Sequence, residues 1–185
     1  MRALFSLYKA DDALPFARRL TACGWTIVAT NNVTKVLKQN NIAVQDVADF
    51  INTGEVYPFP PTLHPKIEQA LTTSGDESVH LVFDTTYPLS EGIDVGGHTL
   101  LALAAKGSRI VVSDNDDMKK VLDQIQASGR VEPDFQEYLI RKAHGKISRH
   151  YFSLYEPASN ADKKLKGDST RIPLKEGENP YQVPA

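Results

Sequence analysis

The residues best suited to chemistry cluster around one short stretch, Asp94-Val95-Gly96-Gly97-His98-Thr99, which runs into an apolar segment ending at Lys106. Glycines ahead of a helix leave backbone amides that can face an anion or a carbonyl, reinforced by the helix dipole. The same letters also spell a tight turn between a strand and a helix. Asp94 and Lys106 form a proton-transfer pair if the fold unites them, and two solvated charges if it does not. The histidines at His64, His80, His98, His144 and His150 show no metal-ligand spacing, so no metal is expected. Cys23 is the single cysteine, which excludes an intrachain disulfide and fits a reducing compartment. There is no GxGxxG, Walker or GxSxG motif. The aromatics of Tyr151–Tyr155 lack a basic cluster and read as packing residues.

These residues need a scaffold, and short apolar runs alternating with amphipathic stretches describe one: an α/β fold, doubly wound, with a mostly parallel sheet and helices on both faces. Strands are expected at Ala3–Leu7, Thr26–Ala29, His80–Phe83 and Arg109–Ser113, with a weaker one near Ala43–Val47. Helices are expected at Asp12–Ala22, Val33–Gln39, Pro65–Thr72, Gly97–Ala105, Asp116–Gln126 and Pro133–His144. In such sheets ligands collect beyond the carboxyl ends of the strands. That directs attention to Ser6–Asp11, Ala29–Val33, Thr62–Lys66, and Thr85–Pro88 with Ile93–Thr99.

The 185 residues suit one domain, 1–156, followed by an extended tail over 157–185 rich in Lys, Asp, Gly, Pro and Asn. Hydrophobic residues make up 41% and charged ones 24%, enough to build a core. Twenty-one Lys and Arg against 23 Asp and Glu leave a net charge of -2, which gives no footprint for nucleic acid. No apolar run has the length of a signal peptide or a membrane span, so a cytoplasmic protein with no membrane partner is expected, and the sequon Asn32-Val33-Thr34 reads as a chance match.

Further motifs carry a resemblance. Arg2-Ala3-Leu4-Phe5-Ser6, Phe16-Ala17-Arg18, Thr62-Leu63-His64-Pro65-Lys66, Tyr87-Pro88, Ile93-Asp94-Val95-Gly96-Gly97 and Ala104-Ala105-Lys106, in this order, resemble the IMP cyclohydrolase domain of the bifunctional purine-biosynthesis transformylase/cyclohydrolase. The resemblance implies a methylglyoxal-synthase-like fold. It also implies closure of the formylated aminoimidazole carboxamide ribotide to IMP, with loss of water and without a cofactor. Since the carboxamide nitrogen attacks the formyl carbonyl of its own molecule, the protein's task is conformation, proton handling and a developing oxyanion. The family's reactive residues fall on Asp94, which would take the proton from nitrogen, Lys106, which would orient that nitrogen, and Tyr87, which would hold the formyl oxygen. Substrate-binding positions fall on Ser6, Lys9, Thr30, Asn31, Asn32, Thr62, Lys66, Gly96 and Gly97. Leu174–Gln182 resembles the LRYGENPHQ segment that opens the family's transformylase domain, with Lys175-Glu176 in place of Arg-Tyr, so the formyl-transfer half is expected to be absent.

The departures concern phosphate. The family's RVKT becomes Phe59-Pro60-Pro61-Thr62, its SVSDKTG loop becomes Ser6–Asp12, and its STGGT becomes Ala29–Val33, where two asparagines are expected to preserve a left-handed turn. Lys9 and Lys66 are the cations expected to compensate. Three readings follow: an IMP cyclohydrolase, a non-catalytic nucleotide-binding or partner-binding relative serving a separate transformylase, and a methylglyoxal-synthase-like lyase. The last is disfavoured because Thr30-Asn31-Asn32-Val33 does not spell that family's GTTG turn. The purine ribonucleotide is the expected ligand, and a homodimer and a transformylase protein are the candidate partners.

Overall fold

The computed structural model describes residues 1–52 and 59–155. Five parallel strands, β1 (Arg2–Leu7), β2 (Thr26–Ala29), β3 (Gln45–Asp46), β4 (Leu81–Thr85) and β5 (Ile110–Val112), lie in the order β3-β2-β1-β4-β5. The helices are α1 (Ala13–Ala22), α2 (Asn31–Gln39), α3 (Val47–Ile51), α4 (Pro65–Thr72), α5 (Val95–Lys106), α6 (Asn115–Ser128) and α7 (Pro133–Tyr155). The chain winds outward from β1 to β3, then returns to pair β4 on the other side of β1, so the winding reverses between β1 and β4. At such a reversal the connections diverge and a crevice opens at the carboxyl ends of the two strands.

Period-two alternation divides the core. Ala3, Phe5 and Leu7 with Leu81 and Phe83 face α1, α2 and α6, where Phe83 meets Phe5 and Phe16 edge-on at ring separations of 5.4 Å. Leu4, Val28, Val82 and Val111 face Ile67, Leu71, Leu100, Leu101 and Ala104 on the opposite side. Both faces are buried, which is why these strands read as unbroken apolar runs.

Most element boundaries shift by one or two residues from the sequence expectation, and three differences have a local cause. The weak strand shrinks to Gln45–Asp46 because the Asp46 side chain accepts the Ala48 amide at 2.9 Å and caps α3, so Val47 starts a helix. Helix α2 begins at Asn31, two residues early. The expected left-handed turn at Asn31-Asn32 is therefore corrected: both residues are helical, and among described non-glycine residues positive φ occurs at Asn41, Asn52 and Ser108. Helix α7 continues through Gly145 to Tyr155, since Ala143 is buried and Ile147 packs beside it. That contact offsets the roughly 1 kcal/mol cost of a mid-helix glycine. The expected tail, 157–185, lies outside the described residues. Among those described, no helix is long and apolar enough to cross a membrane.

Candidate active site

Ser6 and Asp84 are paired across the β1–β4 ladder at the carboxyl edge of the sheet. Asp84 is 1% exposed, and its Oδ1 has no hydrogen-bond partner. Burial, and then the charge of Asp94, push its pKa up to about 7, against the opposing pull of the Ser6 hydroxyl and the Lys146 ammonium. Asp94 caps α5: its Oδ1 accepts the Gly97 amide at 2.7 Å and its Oδ2 the Tyr87 amide at 3.2 Å. The absence of a side chain at Gly97 is what lets the two carboxyls meet. A Cβ there would stand 2.8 Å from Asp94 Oδ2 and 2.9 Å from Asp84 Oδ1. Gly96 is similarly close to Thr62, whose Oγ1 would lie 3.2 Å from an added Cβ. Across the mouth, the Tyr8 hydroxyl donates to the Glu91 carboxylate.

One turn beyond Asp94, the buried His98 meets His150 of α7 at a ring separation of 4.1 Å and Tyr151 at 5.4 Å. Neither ring nitrogen of His98 has a partner, and His150 Nε2 has none either. Burial lowers the His98 pKa to about 4, with the positive fields of His150 and Lys146 adding to the effect. Lys146, one turn before His150, donates to the Ser113 carbonyl at 2.9 Å, where β5 ends beside β4. Burial pulls its pKa down, while Asp84, Asp114 and Asp94 pull it up. The centre thus holds a carboxylic acid near its midpoint at neutral pH, a second carboxyl with two amide donors, an ammonium and two neutral imidazoles. That set can accept a proton from nitrogen and return one to oxygen.

Ser6, Thr62, Tyr87, Asp94, Gly96 and Gly97 gather around this centre. The Tyr87 hydroxyl donates to the Ile93 carbonyl at 3.0 Å. The Gly97 amide, expected to face a ligand, is instead taken by Asp94. Thr30, Asn31 and Asn32 form the start of α2, next to β1 because the Thr30 amide donates to the Phe5 carbonyl at 3.0 Å. Lys9 is exposed, just after β1.

Two expected lysines lie elsewhere. Lys106 ends α5 whereas Asp94 precedes it, and a rise of 1.5 Å per residue separates them by about 18 Å. The Lys106 ammonium pairs with Glu68 at 2.9 Å on the surface, so the proton-transfer pair is not formed. Lys66 turns to Glu77 at 2.9 Å and over the Phe50 ring, towards the loop that leads into the amino end of β4. It therefore adds no cation to the crevice.

The sequence alone singled out neither Asp84 nor Lys146, and offered His150 only as a histidine without metal-ligand spacing and His98 also as part of the Gly-rich turn. Asp84 carried a signal, a carboxylate at the carboxyl end of an apolar strand. Lys146 and His150 are spaced four apart, as neighbours on one helix face are, but in a stretch assigned no helix beyond His144.

The MGS-like domain family matches residues 12–108. A bifunctional purine biosynthesis protein PurH from Caldicellulosiruptor saccharolyticus is 29% identical over 98% of this chain, and one from Brachyspira hyodysenteriae is 30% identical over 98%. The chain spans 42% and 43% of the lengths of those two relatives. A crystal structure of ForH superposes with a TM-score of 0.68 at 24% identity, covering 83% of this chain and 95% of that one, a likeness of fold. The parallel sheet whose winding reverses between β1 and β4, together with a match across more than half of the sequence, establishes that the chain belongs to the MGS-like domain family.

Proposed function

We propose that the chain closes the formylated aminoimidazole carboxamide ribotide to IMP, the cyclohydrolase step of purine biosynthesis. The observation that carries this reading is the buried pair Asp84 and Asp94, converging on Gly97 at the carboxyl edge of the sheet. Closure forms a bond from the carboxamide nitrogen to the formyl carbon, and the C=O π pair moves to oxygen. One proton leaves the attacking nitrogen and one reaches the oxygen. Dehydration then removes the formamide nitrogen's proton, breaks the C–O bond and adds a second proton to the oxygen, which departs as water. Each stage needs one base and one acid. Asp94 serves as base and Asp84, neutral up to about pH 7, as acid in the first stage, and exchanged roles in the second return both to their starting states. The start of α2, with Thr30, Asn31 and Asn32, together with Ser6 and Lys9, supplies neutral donors and one cation for the phosphate. Relationship to PurH over 98% of the chain supports the substrate class.

A second reading, a nucleotide-binding relative without turnover that serves a separate transformylase, is favoured by the turning of Lys66 and Lys106 to Glu77 and Glu68. One experiment separates the two. The formylated ribotide is incubated with the wild type and with Asp94→Asn, formation of IMP is followed by absorbance, and IMP binding is measured by calorimetry. Loss of a general base lowers kcat by about 10²–10⁴-fold, with IMP affinity within a few-fold. Binding without turnover by the wild type selects the second reading, and neither binding nor turnover refutes both.

A further inference from the structure

We propose that Lys146 is a further catalytic residue of this closure, holding the reacting oxygen between its ammonium and the unpartnered carboxyl oxygen of Asp84. The inference rests on the cyclohydrolase reading and assigns to α7 the cation that Lys106 does not deliver.

The placement follows from the ladder. Val112 pairs with Phe83, so the next residues, Ser113 and Asp84, sit side by side at the ends of β5 and β4. Adjacent strands are about 4.8 Å apart, so the Ser113 carbonyl holds the Lys146 ammonium beside the Asp84 carboxyl. Helix α7 fixes the same position from its own side. His150, four residues on, packs against His98, which is itself four residues beyond Asp94. The chain of contacts from Asp94 through His98 and His150 to Lys146 therefore closes around one spot.

The hydrogen-bonding inventory at that spot does not balance internally. An ammonium has three donors, and among the described residues that of Lys146 makes one hydrogen bond, to the Ser113 carbonyl. Asp84 Oδ1 and both nitrogens of His98 are buried without partners. Buried polar groups are nearly always satisfied, by protein or by what the protein binds. An oxygen that accepts from an ammonium and then receives a proton from a carboxyl matches this inventory. In the closure that atom is the formyl oxygen: negative charge collects on it as the C–N bond forms, Lys146 stabilises the charge, and Asp84 delivers the proton while Asp94 takes the one leaving nitrogen. His98 and His150 remain neutral and hold α7 against α5. Lys146 thereby acts most strongly in the transition state, since the charge it meets is absent from the bound substrate and the oxygen is absent from IMP.

The test compares wild type, Lys146→Met and Lys146→Arg in steady-state turnover of the formylated ribotide, with IMP affinity by calorimetry and the urea midpoint measured on the same samples. Removal of one preorganised donor to an oxyanion lowers kcat by about 10²–10³-fold, so Lys146→Met is expected to show that loss with KM and IMP affinity within about threefold, and Lys146→Arg to recover part of it. Should Lys146→Met unfold, Lys146→Gln keeps an N–H donor for Ser113 and carries the same comparison. Turnover by the variants equal to wild type overturns the assignment, as does a loss shared equally by kcat and IMP affinity. Absence of turnover by the wild type itself refutes the cyclohydrolase reading and this inference with it. Wild-type turnover with an indifferent Lys146 refutes this inference alone.

Discussion

Replacing Asp84 by asparagine is expected to stabilise the protein above neutral pH while removing its proposed acid. In the folded chain, burial and then the nearby Asp94 charge lift the Asp84 pKa from 3.8 to about 7. Between those values the folded state keeps a proton that the unfolded chain has released. The stability contributed by the neutral carboxyl is whole below pH 3.8 and is lost as pH rises through about 7. At about 1.4 kcal/mol per pH unit the interval is worth about 4 kcal/mol, and relaxation around a buried ionised carboxyl brings the expectation to about 2–4 kcal/mol. Asparagine has nearly the same shape and does not titrate. The difference in unfolding free energy, variant minus wild type, should therefore be smallest near pH 4.5, climb by roughly 1 kcal/mol per pH unit towards pH 7, and level off above. Urea titrations followed by circular dichroism and by fluorescence of Trp25, the single tryptophan and 6% exposed, measure it at each pH. Contributions from His80, His98 and His150 are shared by both proteins and cancel to first order. A difference independent of pH would mean that Asp84 is ionised or solvated in the fold, and the acid role would fall with it.

Gly97→Ala places a methyl within 3 Å of two carboxyl groups, and a loss of about 1–3 kcal/mol is expected in the same urea titration; an unchanged midpoint would mean that the carboxyls do not converge there. His98→Phe tests the opposite sign of linkage. The folded pKa of His98 is lowered from 6.5 to about 4, so its contribution is present above pH 6.5 and lost as pH falls towards 4, a span of about 1–3 kcal/mol once solvent screening is allowed for, which the phenylalanine variant should lack. Thermal melts from pH 4.5 to 7 read that difference in slope, and parallel curves would refute it. Lys106→Ala removes only an exposed ion pair with Glu68, worth about 0.5 kcal/mol. A large loss of turnover in that variant, with the fold intact, would return Lys106 to the site.

The strands were legible because both faces of β1, β4 and β5 are buried, so Leu4-Phe5, Leu81-Val82-Phe83 and Ile110-Val111-Val112 carry no polar interruption. The reach of α7 was not, because Gly145 carries a stop signal that only packing of Ala143 and Ile147 against the core overrides. Asp94 could be placed from its position before two glycines, whereas Lys106 was misplaced by a motif read as a set of neighbours. Twelve residues of helix are also a length, and that length carries Lys106 to the far end. Asp84 escaped notice because an aspartate after an apolar run ordinarily marks the return to solvent. Here α5 arrives over it, and its burial is a property of the tertiary fold alone.

The stretch that matches the family stops at residue 108, before β5, α6 and α7. Asp84 and Asp94 fall inside it, but the ammonium and one imidazole of the centre come from α7, outside it. In this chain the end of β4 and the start of α5 carry the pair of carboxyls, while the last helix supplies what faces them. Reaction type can then diverge through changes in one terminal helix while the sheet and its crevice stay as they are. Exchange of α7 between relatives, with Leu139 and Ala143 kept to seat the helix, would be the economical way to exchange chemistry on this scaffold.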